Sequence, residues 1–155
     1  MEINIYTGLH EDAVYIRKKV FQEEQGFVNE FDRVDDSAVH LVMMKGDVPV
    51  ATCRIFQEDD VKKEKDKSRS NEHKEENEFI LGRLAVLKEY RKEHLGSKML
   101  AEVSKYVAEK GGTTIKLHSQ CAARKFYESN GFSAYGEVED DEGCPHIWMK
   151  KKVRE

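Results

Sequence analysis

The sequence predicts an α/β (α+β) fold, in which helices pack against a mixed β-sheet. Two observations support this prediction: short apolar runs with strand-like alternation recur along the chain, and three longer stretches carry apolar residues at helical spacing. Their order is strand, helix, two strands, a polar linker, strand, helix, strand, helix and two final strands. Helices interspersed among strands are typical of a sheet that is covered by helices.

The boundaries of the predicted elements follow from turn residues and glycines. Lys45, Gly46 and Asp47 separate two apolar runs and predict a hairpin turn, whereas Gly26 and Gly111 follow two of the helical stretches. We predict strands over residues 2–6, 38–44, 48–56, 79–87, 115–117, 132–138 and 145–153, and helices over residues 10–24, 95–110 and 120–130.

Residues 57–78 differ from the rest of the chain because they are almost entirely charged and polar, with Val61 as their only aliphatic side chain. Such a segment cannot bury enough apolar surface to offset the entropy of ordering it, so we expect a mobile, solvated loop between two strands. Two interpretations stay open: a lid or partner-binding loop, and an insertion tolerated at the surface. The length of the chain predicts a single domain over residues 1–155.

Charge and hydropathy exclude several classes of function. The net charge is −4 and the isoelectric point is about 5.9, which argues against a general nucleic-acid-binding protein. No apolar run is long enough to cross a bilayer and the N-terminus lacks the features of a signal peptide, so we expect a cytoplasmic protein without a membrane partner. Cys53, Cys121 and Cys144 form no C-x-x-C pair and are expected to be reduced thiols, and no metal-ligand spacing is present.

The most informative stretch, residues 83–100, is an apolar strand followed by a short charged turn and an amphipathic helix. Backbone N–H groups at such a turn point toward the space above the helix, where the helix dipole favours an anion. Arg91 and Lys92 add positive charge. The stretch therefore predicts a site for a phosphate or pyrophosphate, and with it a phosphorylated cofactor.

Four motifs resemble those of a known family. Residues 91–96 read RKEHLG, which is similar to the R/Q-x-x-G-x-G/A motif that binds acyl-CoA in the GNAT superfamily of N-acetyltransferases. Residues 123–132, ARKFYESNGF, are similar to its A-x-x-F-Y-x-x-x-G-F helix and turn. Residues 17–26, RKKVFQEEQG, and 143–149, GCPHIWM, resemble the R-x-x-V-F-x-x-E-Q and G-x-P-H-x-x-M segments of its small bacterial ElaA-like and YjcF-like members.

The resemblance implies a mostly antiparallel central sheet of six to seven strands flanked by about four helices. It also implies direct transfer of an acetyl group from acetyl-CoA (CoA) to a primary amine of a small molecule, and relatives of this kind are often homodimers. The backbone of β-strand residues Leu84, Ala85 and Val86 would pair with the pantetheine arm. The other residues implied to bind the cofactor are Arg91, Lys92, Glu93, His94, Leu95, Gly96, Ser97, Lys98, Gln120 and Phe126.

Tyr127 and His146 are the catalytic residues that the resemblance implies. A phenol with an ordinary pKa of ~10 can donate a proton to a leaving thiolate, which makes Tyr127 the expected general acid. An imidazole with an ordinary pKa of ~6.5 can accept the proton of the amine, which makes His146 the expected general base. A structural role stays open for both, as a half-buried ring with a satisfied hydroxyl and as a satisfied strand histidine.

His94 departs from the family motif, which has glycine at this position. Glycine lets the backbone approach a pyrophosphate closely, whereas a side chain must point away or reach a phosphate itself. Both interpretations stay open for His94.

The acceptor site is expected between the first helix with its following loop, the middle strands and the last strands. Arg54 and Arg83 lie within apolar strands, where an unpaired charge is costly. Pairing with a carboxylate of the protein is therefore the default, and recognition of an acidic substrate group is the alternative. The candidates for substrate binding are Arg17, Glu24, Gln25, Arg54 and Arg83.

Two further functions stay open. The chain could bind acyl-CoA or a partner without turnover, an interpretation favoured slightly by His94 and by the long charged segment. It could also acetylate a lysine or the N-terminus of a protein, which an open groove would support and a closed pocket would oppose.

Overall fold

Seven strands form one sheet in the order β1-β2-β3-β4-β5-β7-β6. The computed structural model describes residues 1–58 and 77–154. The strands are β1 (Glu2–Thr7), β2 (Val39–Lys45), β3 (Val48–Phe56), β4 (Glu78–Val86), β5 (Thr114–Gln120), β6 (Ser133–Asp141) and β7 (Cys144–Lys152). The helices are α1 (Glu11–Arg17), which continues as a π-helical segment at Lys18–Glu24, α2 (Val34–Ser37), α3 (Leu95–Glu109) and α4 (Arg124–Ser129), with 3-10 turns at Lys88–Glu93 and Cys121–Ala123.

The sheet is antiparallel except between β4 and β5. These two parallel strands lie side by side only where Glu78–Leu81 pairs with Thr114–Leu117. Beyond Leu81 an extra residue bulges out of β4 opposite β3, and Arg83 adopts a φ of +53° there. The two strands therefore diverge, and in the described residues no strand pairs with the β5-facing edge of β4 over residues 82–86.

Helices cover both faces of the sheet. On one face, Leu95, Met99 and Val103 of α3 are buried against the central strands. On the other face, Ala13 and Ile16 of α1 pack in a second apolar cluster. The prediction of a mostly antiparallel sheet of six to seven strands flanked by helices is confirmed.

A buried network of three arginines and three carboxylates attaches the segment between α1 and β2 to the sheet. Arg17 of α1 is 1% exposed and lies at its centre. Its Nε donates to Glu30 Oε2 at 2.6 Å and its Nη1 donates to Asp35 Oδ1 at 2.7 Å. Since both carboxylates belong to the segment that follows α1, these bonds fold that segment back over the helix.

Two strand arginines complete the network from the sheet side. Arg54 of β3 donates through Nη1 to Asp32 at 2.7 Å and to Asp35 at 2.9 Å. Arg83 of β4 lies 3.2 Å from Glu30 Oε2 and donates to the Glu30 carbonyl at 3.1 Å. Arg17, Glu30, Asp35 and Arg54 are buried, whereas Arg83 and Asp32 are 29% and 41% exposed at the edge of the network. The three positive and three negative charges cancel, which is what allows the four inner groups to be buried together.

Three sequence-based expectations need comment. The segment that carries α2 has no apolar periodicity and was not predicted, because it is held by ion pairs rather than by an apolar face. The last helix begins at Arg124 rather than at residue 120, because Gln120 still pairs with His146 in the sheet. The predicted loop at 57–78 lies, over residues 59–76, outside the described residues.

None of the helices in the described residues is long and apolar enough to span a membrane.

We predict that Asp35→Asn lowers the free energy of unfolding by roughly 3–5 kcal/mol at pH 7, because it leaves Arg17 and Arg54 buried without a full counter-charge. Burial alone would raise the pKa of Asp35, but hydrogen bonds from Arg17 and from the Asp32 backbone, with the arginine charges, lower it from 3.8 to about 2. The stabilisation is therefore complete above pH ~4 and is lost as the pH falls toward 2. Urea unfolding of wild type and variant over this range measures both effects.

Asp36→Asn is the matched control, since Asp36 lies next in sequence but is exposed. We expect it to change the free energy of unfolding by less than about 0.5 kcal/mol. Equal destabilisation by both substitutions would contradict a specific role for the buried network.

Candidate active site

The turn before α3 presents free backbone N–H groups. The 3-10 turn Lys88–Glu93 ends at His94, whose φ of +58° and ψ of 29° place it in the left-handed region. Among the described residues no side chain caps α3, and the first N–H of the helix with a partner there is that of Lys98, which bonds to His94 O at 3.2 Å. The N–H groups of residues 95–97 are thus available to an anion at the positive end of the helix dipole.

His94 occupies the position that the family gives to glycine, and its backbone conformation is one that glycine adopts without strain. A side chain in this conformation costs of order 1–2 kcal/mol. The His94 side chain is exposed. His94 thus adopts a backbone conformation that a glycine at this position could also adopt.

Gly96 permits the close packing of α3 against α4. A Cβ atom at Gly96 would lie 2.9 Å from Cζ of Phe126, closer than carbon atoms approach without displacement. Phe126 in turn meets Tyr127 edge-to-face, with ring centroids 5.2 Å apart. Gly96 thus lets Phe126 approach α3 closely, and Phe126 in turn packs against Tyr127.

Arg91, predicted to bind the pyrophosphate, forms an exposed bidentate pair with Glu24. Its Nη2 donates to Glu24 Oε1 at 2.6 Å and its Nε donates to the Val86 carbonyl at 3.0 Å. The hydrogen bond from Arg91 and its charge hold the pKa of Glu24 below its usual range. Arg91 therefore links the α1 side of the molecule to the end of β4.

A cavity of about 520 Å³ lies where β4 and β5 diverge. Its walls come from the segment after α1, from β4, from the end of β5, from α4 and from the β6–β7 hairpin. The lining residues are Phe21, Gln25, Phe27, Asn29, Glu30, Phe31, Asp32, Arg83, Leu84, His118, Ser119, Gln120, Ala123, Tyr127, Asp141, Glu142 and His146. Tyr127 and His146, which are 19 residues apart in sequence, are brought to the same cavity.

Tyr127 lies against the apolar core and lines the cavity. Its ring packs edge-on against Phe126 and Phe132. Burial raises the pKa of Tyr127 above its ordinary value of 10. The phenol is therefore protonated throughout the neutral pH range, where it can donate its proton.

His146 is 7% exposed, and its hydrogen bonding defines its tautomer. Nδ1 lies 2.9 Å from the carbonyl oxygen of Cys144. Because a carbonyl can only accept, Nδ1 carries the hydrogen and donates it. The neutral ring then has its lone pair on Nε2, which has no hydrogen-bond partner among the described residues.

His118 stacks beside His146, with ring centroids 4.9 Å apart, and on its other side lies Trp148 at 4.8 Å. Burial, with a contribution from the charge of His146, lowers the pKa of His118. His118 is therefore neutral near pH 7 and adds no positive charge next to His146.

The expected cofactor residues divide between the cavity and the turn. Leu84 and Gln120 line the cavity, and Ala85 is buried against α1. Val86 and the residues from Arg91 to Lys98 lie at the end of β4 and around the start of α3. Both groups are compatible with a ligand that runs from the turn along the free edge of β4.

Of the expected substrate residues, Gln25 and Arg83 line the cavity, and Glu24 is engaged by Arg91. Arg17 and Arg54 do not line it: both are at least 95% buried, and carboxylates of the same chain bind their guanidinium groups. Arg54 is therefore paired internally, which was its default expectation, and Arg17 is paired within the chain in the same way. The cause is the acidic segment before β2, which supplies the counter-charges.

Several cavity residues were missed by the sequence analysis. His118, Glu30 and Asp32 line the cavity, as do Asp141 and Glu142 at the turn between β6 and β7. The run of five acidic residues within 137–142 was a usable signal for the last two. No sequence signal identified Glu30 and Asp32 as cavity residues, because only the fold brings them beside Arg83.

Comparison with curated proteins shows relatives over almost the whole chain. Protein YyaT of Bacillus subtilis is 31% identical over 97% of this chain and 93% of its own length. The uncharacterized N-acetyltransferase YjcF of the same organism is 29% identical over 91% of each chain. Two family models, each described as an acetyltransferase (GNAT) domain, match residues 16–101 and 70–153.

Solved structures share the fold at lower identity. Escherichia coli ElaA superposes with a TM-score of 0.77 at 24% identity, over 97% of this chain and 98% of its own. An aminoglycoside 6'-N-acetyltransferase complexed with coenzyme A superposes with a TM-score of 0.67 at 16% identity. The match covers 99% of this chain and 97% of that protein. Because each of the two family models matches more than half of the chain and YyaT is 31% identical over almost all of it, the chain belongs to the GNAT family of acetyltransferases.

Proposed function

We propose that this protein transfers the acetyl group of acetyl-CoA directly to a primary amine of a small, free molecule in the cytoplasm. The observation that carries the proposal is the convergence of Tyr127 and His146 on one cavity beside the unpaired edge of β4. A proton donor and a proton acceptor in one cavity are what aminolysis of a thioester requires. The cofactor supplies the activated acetyl group.

Three features of the chain fit a CoA molecule. The unpaired edge of β4 over residues 82–86 offers backbone groups to the amides of a pantetheine arm. The uncapped N–H groups of residues 95–97 suit a pyrophosphate, and Lys92 and Lys98 add exposed positive charge near them. Phe126, which the resemblance assigns to the cofactor, packs against Gly96 in the first turn of α3 and so lies close to these N–H groups.

His146 is proposed to accept the proton of the acceptor ammonium. Its Nδ1–H is held by the Cys144 carbonyl, so Nε2 presents a lone pair whose direction is defined by the strand. The neighbouring His118 stays neutral and therefore does not oppose the positive charge that His146 gains.

Tyr127 is proposed to hold a proton for the leaving sulfur. Because burial raises its pKa, the phenol is fully protonated at neutral pH. The edge contacts with Phe126 and Phe132 restrict the ring and so define where the hydroxyl lies.

Two hydrogen bonds between opposite walls of the cavity support a small acceptor rather than a protein. Gln120 Nε2 donates to Gln25 Oε1 at 2.8 Å, and Asn29 Nδ2 donates to Glu142 Oε1 at 3.3 Å. A folded protein surface would need a continuous groove, which these bonds interrupt. A thiol-release assay with acetyl-CoA and a panel of amines tests the function, and tight CoA binding without turnover of any amine would contradict it.

We predict that His146→Ala lowers kcat/KM for acetyl transfer by about 10²–10⁴-fold and removes the acid limb of its pH profile, because proton acceptance is lost. Steady-state kinetics from pH 5.5 to 9 measure this. His10→Asn is the control, since asparagine preserves the N-cap of α1 that His10 now provides. An unchanged pH profile in His146→Ala would exclude the role as base.

Tyr127→Phe is expected to lower kcat by about 10²-fold or more while leaving the Kd of CoA within about twofold. The substitution removes only the hydroxyl and keeps the ring contacts with Phe126 and Phe132. Tyr135→Phe on β6, which does not line the cavity, is the matched control. A wild-type kcat in Tyr127→Phe would contradict the assignment as proton donor.

We predict that Glu24→Gln tightens CoA binding by a few-fold. An exposed ion pair contributes about 1 kcal/mol at most, and its removal frees Arg91 for the pyrophosphate. Isothermal titration calorimetry with CoA measures the change. Glu23→Gln alters the same charge one residue away, where Lys19 rather than Arg91 is the partner, so we expect no change there. Weaker binding in Glu24→Gln would mean that Glu24 positions Arg91 instead of competing for it.

A further inference from the structure

We propose that the acceptor is a short aliphatic diamine, whose second ammonium group is bound by Asp141 and Glu142. This inference rests on the proposed function, because it names the class of amine that the same cavity takes. It starts from the charges that the cavity walls leave uncompensated.

The carboxylates of the cavity fall into two groups. Glu30 and Asp32 are neutralised by Arg83 and by the arginines behind it. Asp141 and Glu142 form no ion pair with any lysine or arginine in the described part of the chain. Two negative charges thus remain at one end of the cavity and favour a cationic ligand group there.

The same hairpin strengthens this field. Residues 137–142 read EVEDDE, so five of six side chains are acidic. Only Asp141 and Glu142 of this run line the cavity, while the others surround it from the exposed side. A dication would gain more from this potential than a monoamine of equal length.

Strand register places Asp141 on the same face as His146. Glu139 of β6 pairs directly with His146 of β7, and Asp141 follows Glu139 by two residues. Side chains two apart on a strand share a face, and two residues span roughly 7 Å. The backbone positions of Asp141 and His146 are therefore separated by roughly the length of a short aliphatic diamine.

His146, the proposed proton acceptor, lies at the other end of the distance from Asp141. His146 is 93% buried and its Nε2 has no partner in the described residues, although the ring lines the cavity. This lone pair is available to a donor from the cavity, and the reacting ammonium of the diamine would supply one. One ammonium then meets His146 and the other meets the carboxylates.

The cavity lining also includes apolar side chains that a methylene chain could contact. Phe27, Phe31 and Leu84 line the cavity and offer apolar surface. Glu142 is oriented by Asn29, which donates to its Oε1 at 3.3 Å. Apolar surface together with two uncompensated carboxylates suits an α,ω-diamine.

Putrescine and n-butylamine test the inference, since they have the same carbon chain and differ in the second ammonium. We expect the wild-type kcat/KM for putrescine to exceed that for n-butylamine by about tenfold or more at low salt, a ratio that falls as ionic strength rises. We expect the double variant Asp141→Asn/Glu142→Gln to bring the ratio toward one. Glu137→Gln removes a charge from the same hairpin outside the cavity lining, and we expect it to preserve the ratio.

Calorimetric titration of both amines into the CoA-bound protein gives a second readout that needs no turnover. Acetylation of both amines with equal kcat/KM in wild type would overturn the inference and leave the proposed function intact. Selective binding of putrescine that depends on Asp141 and Glu142, without acetylation, would support the recognition site and overturn the proposed function. The inference would be overturned if putrescine were neither bound nor acetylated. It would also be overturned if Glu137→Gln abolished the preference for putrescine as fully as the double variant does.

Discussion

The divergence of β4 from β5 is the constraint on which the rest of this structure depends. Parallel pairing lasts for four residues on each strand, and then the bulge at Arg83 turns β4 away while β5 stays paired with β7. A sheet that splits in this way has an unpaired backbone edge in its interior, which a continuous sheet cannot offer. The cavity, the proposed pantetheine path and the approach of α4 to α3 all lie in or beside this gap.

Divergence by itself would leave the gap open to solvent on the side of α1. The buried network of Arg17, Arg54 and Arg83 with the carboxylates of residues 30–35 closes that side. Such a network contributes little net stability compared with an apolar core, because each ion must be desolvated. The network instead fixes the position of the irregular segment between α1 and β2. That segment carries Phe27, Phe31 and other residues of the cavity wall.

Electrostatics then divide the cavity into regions of different character. The arginine network is neutral overall, whereas the β6–β7 hairpin retains its negative charge. Burial raises the pKa of Tyr127, so the phenol keeps its proton. Burial also lowers the pKa of His118, so the ring next to His146 stays neutral. One cavity can therefore hold a phenol that keeps its proton and a histidine whose neighbour adds no positive charge.

The sequence by itself determined the order of strands and helices, the anion site before α3 and the pair Tyr127 and His146 as candidates. These depend on local patterns: apolar spacing, glycines and short motifs whose chemistry acts within a few residues. Tertiary structure alone decided that Arg17 and Arg54 serve the protein rather than a substrate, and that His118, Glu30 and Asp141 join the cavity. Contacts between distant segments select these partners, and a buried charge is satisfied by whichever carboxylate the fold brings within hydrogen-bonding distance, a choice that no local pattern encodes.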